Sequence, residues 1–290
     1  MYDQVLIPTD GSEGTKRAVG HGLGIADTFG AAVHVVYVID VRPYGGIDLA
    51  EEAALERAAR RAGRRAITSI RERAEDLGLD VTHQIAVGVP HAEIVDSVEA
   101  NDIDLVTMGT HGRTGMDLAV VGSTTERVLR GVETPVLTTP VSDEPRADPG
   151  GGPYEEILVP TDGSEASLRA AEHAIGFADR HGGAVHALYV VDTTVFEYDD
   201  APRSLLGPLR EGGETAVARI ESLAAEAAVP VSSSVDEGTP SRLILGYAAE
   251  IDADLLVLGR RGRTGLPEVL LGSTTARVVR SADAPVLSVT

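Results

Sequence analysis

Cysteine is absent from the 290 residues. Disulfides, thiolate metal sites and cysteine nucleophiles are therefore excluded. Lysine is nearly absent too: Lys16 stands alone, and every other cation is an arginine. Tryptophan is missing and aromatic residues make up only 3% of the chain. The core must then be aliphatic, built from Val, Leu, Ile and Ala. No apolar run reaches the length of about 18 residues that a membrane-spanning helix needs. The N-terminus reads straight into a strand, with no secretory signal pattern. The expectation is a soluble, cytoplasmic protein. Positive charge is scarce, and the formal net charge is −20. A protein must offer cations to displace phosphate counterions. Nucleic acid and anionic membrane are thus not expected as partners. Carboxylate excess with so little lysine is the composition of halophilic proteins, whose acidic surface stays soluble while salt screens its repulsion. An acidic protein from a GC-rich genome is the plainer alternative.

What is present comes twice. VLIPTDGSE at Val5–Glu13 matches ILVPTDGSE at Ile157–Glu165, and VHVVYVID at Val33–Asp40 matches VHALYVVD at Val185–Asp192, both at an offset of 152. GVPHAEIV at Gly88–Val95 matches GTPSRLIL at Gly238–Leu245 at an offset of 150, which Gly109 and Gly259 keep. The second copy therefore lacks two residues somewhere between Asp192 and Gly238. The period is far too long for a solenoid, so this is a duplicated domain. PVSDEPRADPGGGP, rich in proline, glycine and acid, separates the copies and reads as a linker. The copies are expected at 1–140 and 154–290, with 141–153 between them.

Strand and helix signals alternate within each copy. In the first, strands are expected at Gln4–Pro8, Ala32–Ile39, Val81–Val87, Asp104–Gly109 and Pro135–Thr139. Helices are expected from an N-cap at Ser12 to Phe29, at Glu51–Leu77, at Pro90–Ala100 and at Ser123–Arg130. The second copy repeats the pattern, with a less regular segment at Val195–Gly213. Parallel strands joined by crossover helices imply an α/β fold with an open, doubly wound sheet. Such sheets bind ligands beyond the carboxyl ends of their strands.

The stretch GTHGRTGMDLAVVGSTT, Gly109–Thr125, has a counterpart in GRRGRTGLPEVLLGSTT, Gly259–Thr275. Both follow the spacing G-x2-G-x9-G-S. Glycine lets backbone approach a ligand closely. The free N–H groups of a helix start, with the hydroxyls of Ser123, Thr124 and Thr125, form an anion cradle. Arg113 and Arg263 add local positive charge. An ordinary βα loop with a capping Gly-Ser is the alternative, but capping alone would not keep Arg113-Thr114-Gly115 in both copies. The pattern is neither GxxxxGK[ST] nor GxGxxG.

Together with Pro-Thr-Asp-Gly-Ser after the first strand, these residues resemble the universal stress proteins, whose ATP-binding members carry G-x2-G-x9-G-[S/T]. The resemblance covers both copies, all but the linker. It implies a five-stranded sheet of order 3-2-1-4-5, adenine nucleotide alpha hydrolase-like. It implies ATP as ligand, with Mg on its phosphates, and pairing through the fifth strands, either between tandem domains or in a homodimer. Asp10 and Asp162 would lie near the adenosine, over a strand end shaped by Pro8, Thr9, Pro160 and Thr161. Asp10 has a second reading, an Asx-turn that starts the first helix. The backbone of Val38 and Val190 would read the adenine edge. Gly109, Gly112, Arg113, Gly122, Ser123 and Thr124 would hold ribose and phosphates. Gly259, Gly262, Arg263, Gly272, Ser273 and Thr274 would do so in the second copy. Arg260-Arg261 replaces Thr110-His111, which should raise phosphate attraction there.

His21 and His173, inside helices, read as surface or packing residues, and His34 and His186 as packed strand residues. No His pair has zinc spacing, and no GxSxG is present. The arginine-rich run Arg57–Arg73 reads as a solvated, salt-bridged helix face. Three functions follow: an ATP-binding stress regulator without a dedicated reaction, a slow ATPase or autophosphorylating enzyme, or a dimerising module that has lost its ligand.

Overall fold

The first apolar burst forms β1, Gln4–Thr9, buried at every residue after Gln4. A strand covered on both faces needs such an unbroken apolar run. A computed structural model describes residues 1–40, 49–110, 121–140, 152–194, 206–262 and 271–290, apart from the side chains at 49, 50 and 52. It divides into two units, Met1–Gly152 and Pro153–Thr290.

In the first unit β1 is followed by α1 (Glu13–Phe29), β2 (Ala32–Asp40), α2 (Leu49–Asp76), β3 (Val81–Gly88), α3 (Pro90–Ala100), β4 (Leu105–Gly109), α4 (Ser123–Gly131) and β5 (Val136–Thr139). The strands lie in the order β3-β2-β1-β4-β5, all parallel. The second unit runs β6 (Glu156–Thr161), α5 (Glu165–His181), β7 (Ala184–Asp192), α6 (Leu206–Glu226), β8 (Val231–Gly238), α7 (Pro240–Glu250), β9 (Leu255–Gly259), α8 (Ser273–Ser281) and β10 (Val286–Val289). Its order, β8-β7-β6-β9-β10, is the same. Right-handed crossovers place the helices after the first two strands on one face and the helices after the third and fourth on the other. Accordingly α3 packs on α4, and α7 on α8. No helix among the described residues is long and apolar enough to cross a membrane.

Small residues let the helices sit close to the sheet. A Cβ on Gly22 of α1 would come within 2.6 Å of Thr107 Oγ1. A Cβ on Gly63 of α2 would come within 2.7 Å of the Tyr37 ring, and one on Gly213 of α6 within 2.5 Å of Tyr189. The equivalence of Gly63 and Gly213 places the two-residue deletion before Gly213. The segment expected to be less regular is helical from Leu206 onward. Pro208 belongs to the first turn, where a missing N–H costs nothing, and Gly213 is where Tyr189 demands it.

Asp104 was expected inside the fourth strand. It precedes that strand instead, and its Oδ2 accepts the N–H groups of Asp3 (2.8 Å) and Gln4 (2.9 Å). Asp254 accepts those of Glu155 and Glu156 at 3.0 Å each. One carboxylate thus pins the start of each central strand.

The paired strand histidines are packed. His34 Nε2 meets Gln4 Oε1 at 2.6 Å and its Nδ1 meets Thr82 Oγ1 at 2.7 Å. In the second unit His186 lies between Glu156 and Ser232. Ser–His–Glu looks like a nucleophile relay. The first unit keeps the hydrogen-bond chain with glutamine in the carboxylate's place, so the chain ties three strands together rather than moving a proton. His21 and His173 sit in α1 and α5, where burial pushes both imidazoles down to about 4.

Candidate functional site

The order β3-β2-β1-β4-β5 reverses its direction of growth between β1 and β4, and a crevice opens there beyond the strand ends. Asp10 stands at the end of β1 and Gly109 at the end of β4. Asp162 and Gly259 hold the same places in the second unit.

The turn after β1 is built from its own side chains. Thr9 Oγ1 accepts the Gly11 N–H (3.1 Å), and Asp10 Oδ1 accepts the Ser12 N–H (2.9 Å). Gly11 takes φ +77°, a left-handed conformation that glycine adopts at no steric cost. Thr161 and Asp162 repeat both bonds at 3.1 and 3.0 Å. The Asx-turn reading of Asp10 is therefore correct. It engages Oδ1 of the carboxylate. In the second unit a Cβ on Gly262 would lie 2.6 Å from Asp162 Oδ2, so any larger residue there must displace the carboxylate.

The fourth-strand end is tied to the next helix by backbone. Gly122 N–H donates to the Thr110 carbonyl (2.7 Å), and Gly272 N–H to the Arg260 carbonyl (2.8 Å). Thr125 Oγ1 and Thr275 Oγ1 donate to the Gly109 and Gly259 carbonyls, each at 2.8 Å. Thr125 was expected to offer its hydroxyl to a ligand; it turns inward as a strut instead. Ser123 and Ser273 stay exposed, with Thr124 and Thr274 half-buried. Gly122 and Gly272 are the N-caps, and neither α4 nor α8 has a side-chain cap. The first amides of a helix have no intrahelical acceptor. In both units they are left without one from a capping residue.

Val38 and Val190 occupy the other end of the crevice. In a parallel ladder the N–H and C=O of one residue point to the same neighbour, and successive residues alternate sides. Ala32 N–H bonds Asp3 on the β1 side (2.9 Å), and Val33 N–H bonds Asp80 on the β3 side (2.8 Å). Counting on by twos, the Val38 carbonyl points to the β1 side. But β1 ends at Thr9, opposite Tyr37. The Val38 carbonyl therefore faces past the strand end. Ala184 and Val185 set the same alternation, and Thr161 ends opposite Tyr189, so Val190 does likewise.

Gly259 has another reason to be glycine: a Cβ there would lie 3.0 Å from the Ala166 backbone of α5. Arg260, beside it, is buried at 3% exposure where the first unit has Thr110. Gly112, Arg113 and Arg263 lie outside the described residues. The Asp104 and Asp254 clamps and the Tyr–Gly contacts escaped the sequence reading. Their only signal was recurrence in both copies.

The model of the universal stress protein family matches residues 1–140 and 153–290. The chain is 40% identical over 139 residues to a universal stress protein of Methanocaldococcus jannaschii, covering 47% of this chain and 82% of that one. It is 30% identical over 219 residues to a universal stress protein of Mycobacterium tuberculosis, covering 73% and 70% of the two chains. A crystal structure of a universal stress protein from Archaeoglobus fulgidus superposes with a TM-score of 0.75 at 24% identity, over 99% of this chain and 96% of that one, which shows the same fold. With the family's sequence pattern matched over both halves of the duplicated sheet, the chain belongs to the universal stress protein family.

Proposed function

We propose that the chain is an ATP-binding regulatory protein with one adenine-nucleotide site in each copy. One observation carries this reading. At the carboxyl end of each sheet, a strand carbonyl without a neighbouring strand and a helix start without a capping side chain flank the same crevice. A nucleotide has complementary groups at its two ends. The adenine amino group donates to the carbonyl of Val38 or Val190. The ribose hydroxyls donate to the carboxylate of Asp10 or Asp162, above the floor formed by Pro8 and Thr9 or Pro160 and Thr161. Phosphate oxygens accept from the amides of Ser123 and Thr124, or of Ser273 and Thr274. Gly109 and Gly259 set the strand ends, and Gly122 and Gly272 leave the cradle open. Gly112, Arg113, Gly262 and Arg263 are assigned to the phosphates by the family motif alone.

Among the described residues no group of three His, Asp or Glu could hold a metal. Mg²⁺ would thus enter on the nucleotide, keeping mostly phosphate and water ligands. Occupancy, rather than turnover, would alter an interface with a partner in the cytoplasm under stress. Pairing of the copies through their fifth strands, or of two chains, would supply that interface.

The test is to denature the purified protein and chromatograph what it releases. Released ATP supports the reading. ADP in its place favours slow hydrolysis. Release of nothing, with no uptake of added ATP, overturns it.

A further inference from the structure

We propose that α2 carries a docking stripe for a carboxylate-rich face of another protein. Residues 57–65 read RAARRAGRR, with five arginines and no acid. Arg57, Arg60, Arg61, Arg64 and Arg65 follow the spacing i, i+3, i+4, i+7, i+8, which gathers them on one helical face. Gly63, Ile67, Ile70 and Ala74 are the buried positions of α2, so this face points to solvent. Arg57, Arg61, Arg64 and Arg65 are exposed. Arg60 pairs with Glu56 at 2.7 Å, and Arg71 with Glu75 at 3.1 Å. No ion pair among the described residues reaches the other four. The run was expected to be laced by its own salt bridges; over residues 57–65 only one of the five arginines is.

The fold does not need this stripe. Its counterpart α6 holds only Arg210 and Arg219, and both are tied down. Arg210 lies 3.4 Å from Glu214 and 3.6 Å from Glu237, and Arg219 lies 3.2 Å from Glu165. Like charges one turn apart destabilise a helix. Five together on a chain of net charge −20 are a local reversal of its field.

Charge complementarity calls for an anionic partner. The guanidinium fork matches carboxylate and phosphate alike in bidentate geometry, and two further features favour protein carboxylates. A long nucleic acid or an anionic bilayer extends past the stripe onto the surrounding acidic surface and is repelled there, whereas a carboxylate patch or short peptide no larger than the stripe is not. The residues between the arginines are Ala58, Ala59, Ala62 and Gly63, with no aromatic to stack a base and no large apolar side chain to enter a bilayer. The stripe spans about 12 Å of helix axis. That is less than a stable interface of roughly 800 Å² per partner requires, so the contact is transient and salt-sensitive. This proposal does not depend on the nucleotide reading.

The experiment titrates the full chain against short, fluorescent poly-L-glutamate and follows anisotropy. Polyphosphate, duplex DNA and vesicles rich in phosphatidylglycerol serve as parallel probes. Salt is held at the lowest level that preserves the helical circular dichroism. Poly-L-glutamate should bind, weaken with added salt, and bind about ten-fold more weakly to R61E/R64E/R65E. R61Q/R64Q/R65Q should lose part of the affinity, and R210E/R219E none. Unchanged binding by the triple variants, equal loss in R210E/R219E, no binding by the native chain, or preference for any phosphate-bearing probe would overturn the proposal.

Discussion

The two copies agree in their strand clamps and in the turns after their first strands, and differ at their first helix starts, their fourth-strand ends and their outer helices. Asp104 and Asp254 clamp the same strand start, Tyr37 and Tyr189 press on the same glycine, and the turns at Asp10 and Asp162 make the same bonds. Their helix starts differ. Ser164 Oγ accepts the Ser167 N–H at 3.2 Å, while the buried Ser12 Oγ has no partner among the described residues. At the fourth-strand end the first copy has Thr110 where the second has Arg260, and the outer helix carries an arginine stripe in the first copy and ion-paired arginines in the second. A duplicated chain can change whatever its fold and its crevice do not share. The contacts that survive in both halves are the ones the scaffold requires.

That comparison can be broken in two places. The largest effect should come from the clamps. Asp104→Ala and Asp254→Ala each strip two backbone N–H groups of a charged acceptor, costing about 3 kcal/mol. Denaturant unfolding should give similar losses for both; a large loss in only one would mean that the equivalence is superficial. A smaller effect should separate the serines. Ser164→Ala removes a working N-cap and should cost about 1 kcal/mol, whereas Ser12→Ala should cost close to nothing. Hydrogen exchange in the first turns of α5 and α1 reads the two separately. Equal loss of protection would erase the distinction.

Much of this fold was legible because its signals are local. Pro90 opens α3 in the first turn, and Pro90–Ala100 is the helix expected. Apolar bursts gave the buried strands β1, β4 and β5 to within a residue, since a doubly covered parallel strand is nearly all apolar. The edge strand β3, VTHQIAVG, is half polar and half exposed, and was legible from its flanks instead. Asp104 was misread because its role depends on residues a hundred positions away, which no local pattern reveals. The segment Val195–Gly213 was expected to be less regular, yet a helix begins at Leu206, and the ring that requires Gly213 lies on another element. At the crevice the glycine spacing was plain in sequence. The inward turn of Thr125 was not: three neighbouring hydroxyls look alike until the helix phase is known.

The proposed nucleotide sites depend on the uncapped helix starts of both copies. Gly122 has φ −56° and ψ 139°, and Gly272 has φ −58° and ψ 143°, dihedrals that valine adopts. A Cβ on Gly272 comes to 3.1 Å from the Arg260 carbonyl oxygen, so the neighbouring backbone must give by a few tenths of an ångström. Titration calorimetry with ATP should find two equivalents bound by the native chain, one by Gly122→Val and none by Gly122→Val/Gly272→Val, with the circular dichroism unchanged. Two equivalents retained by the double variant, or no heat from the native chain, would contradict the account.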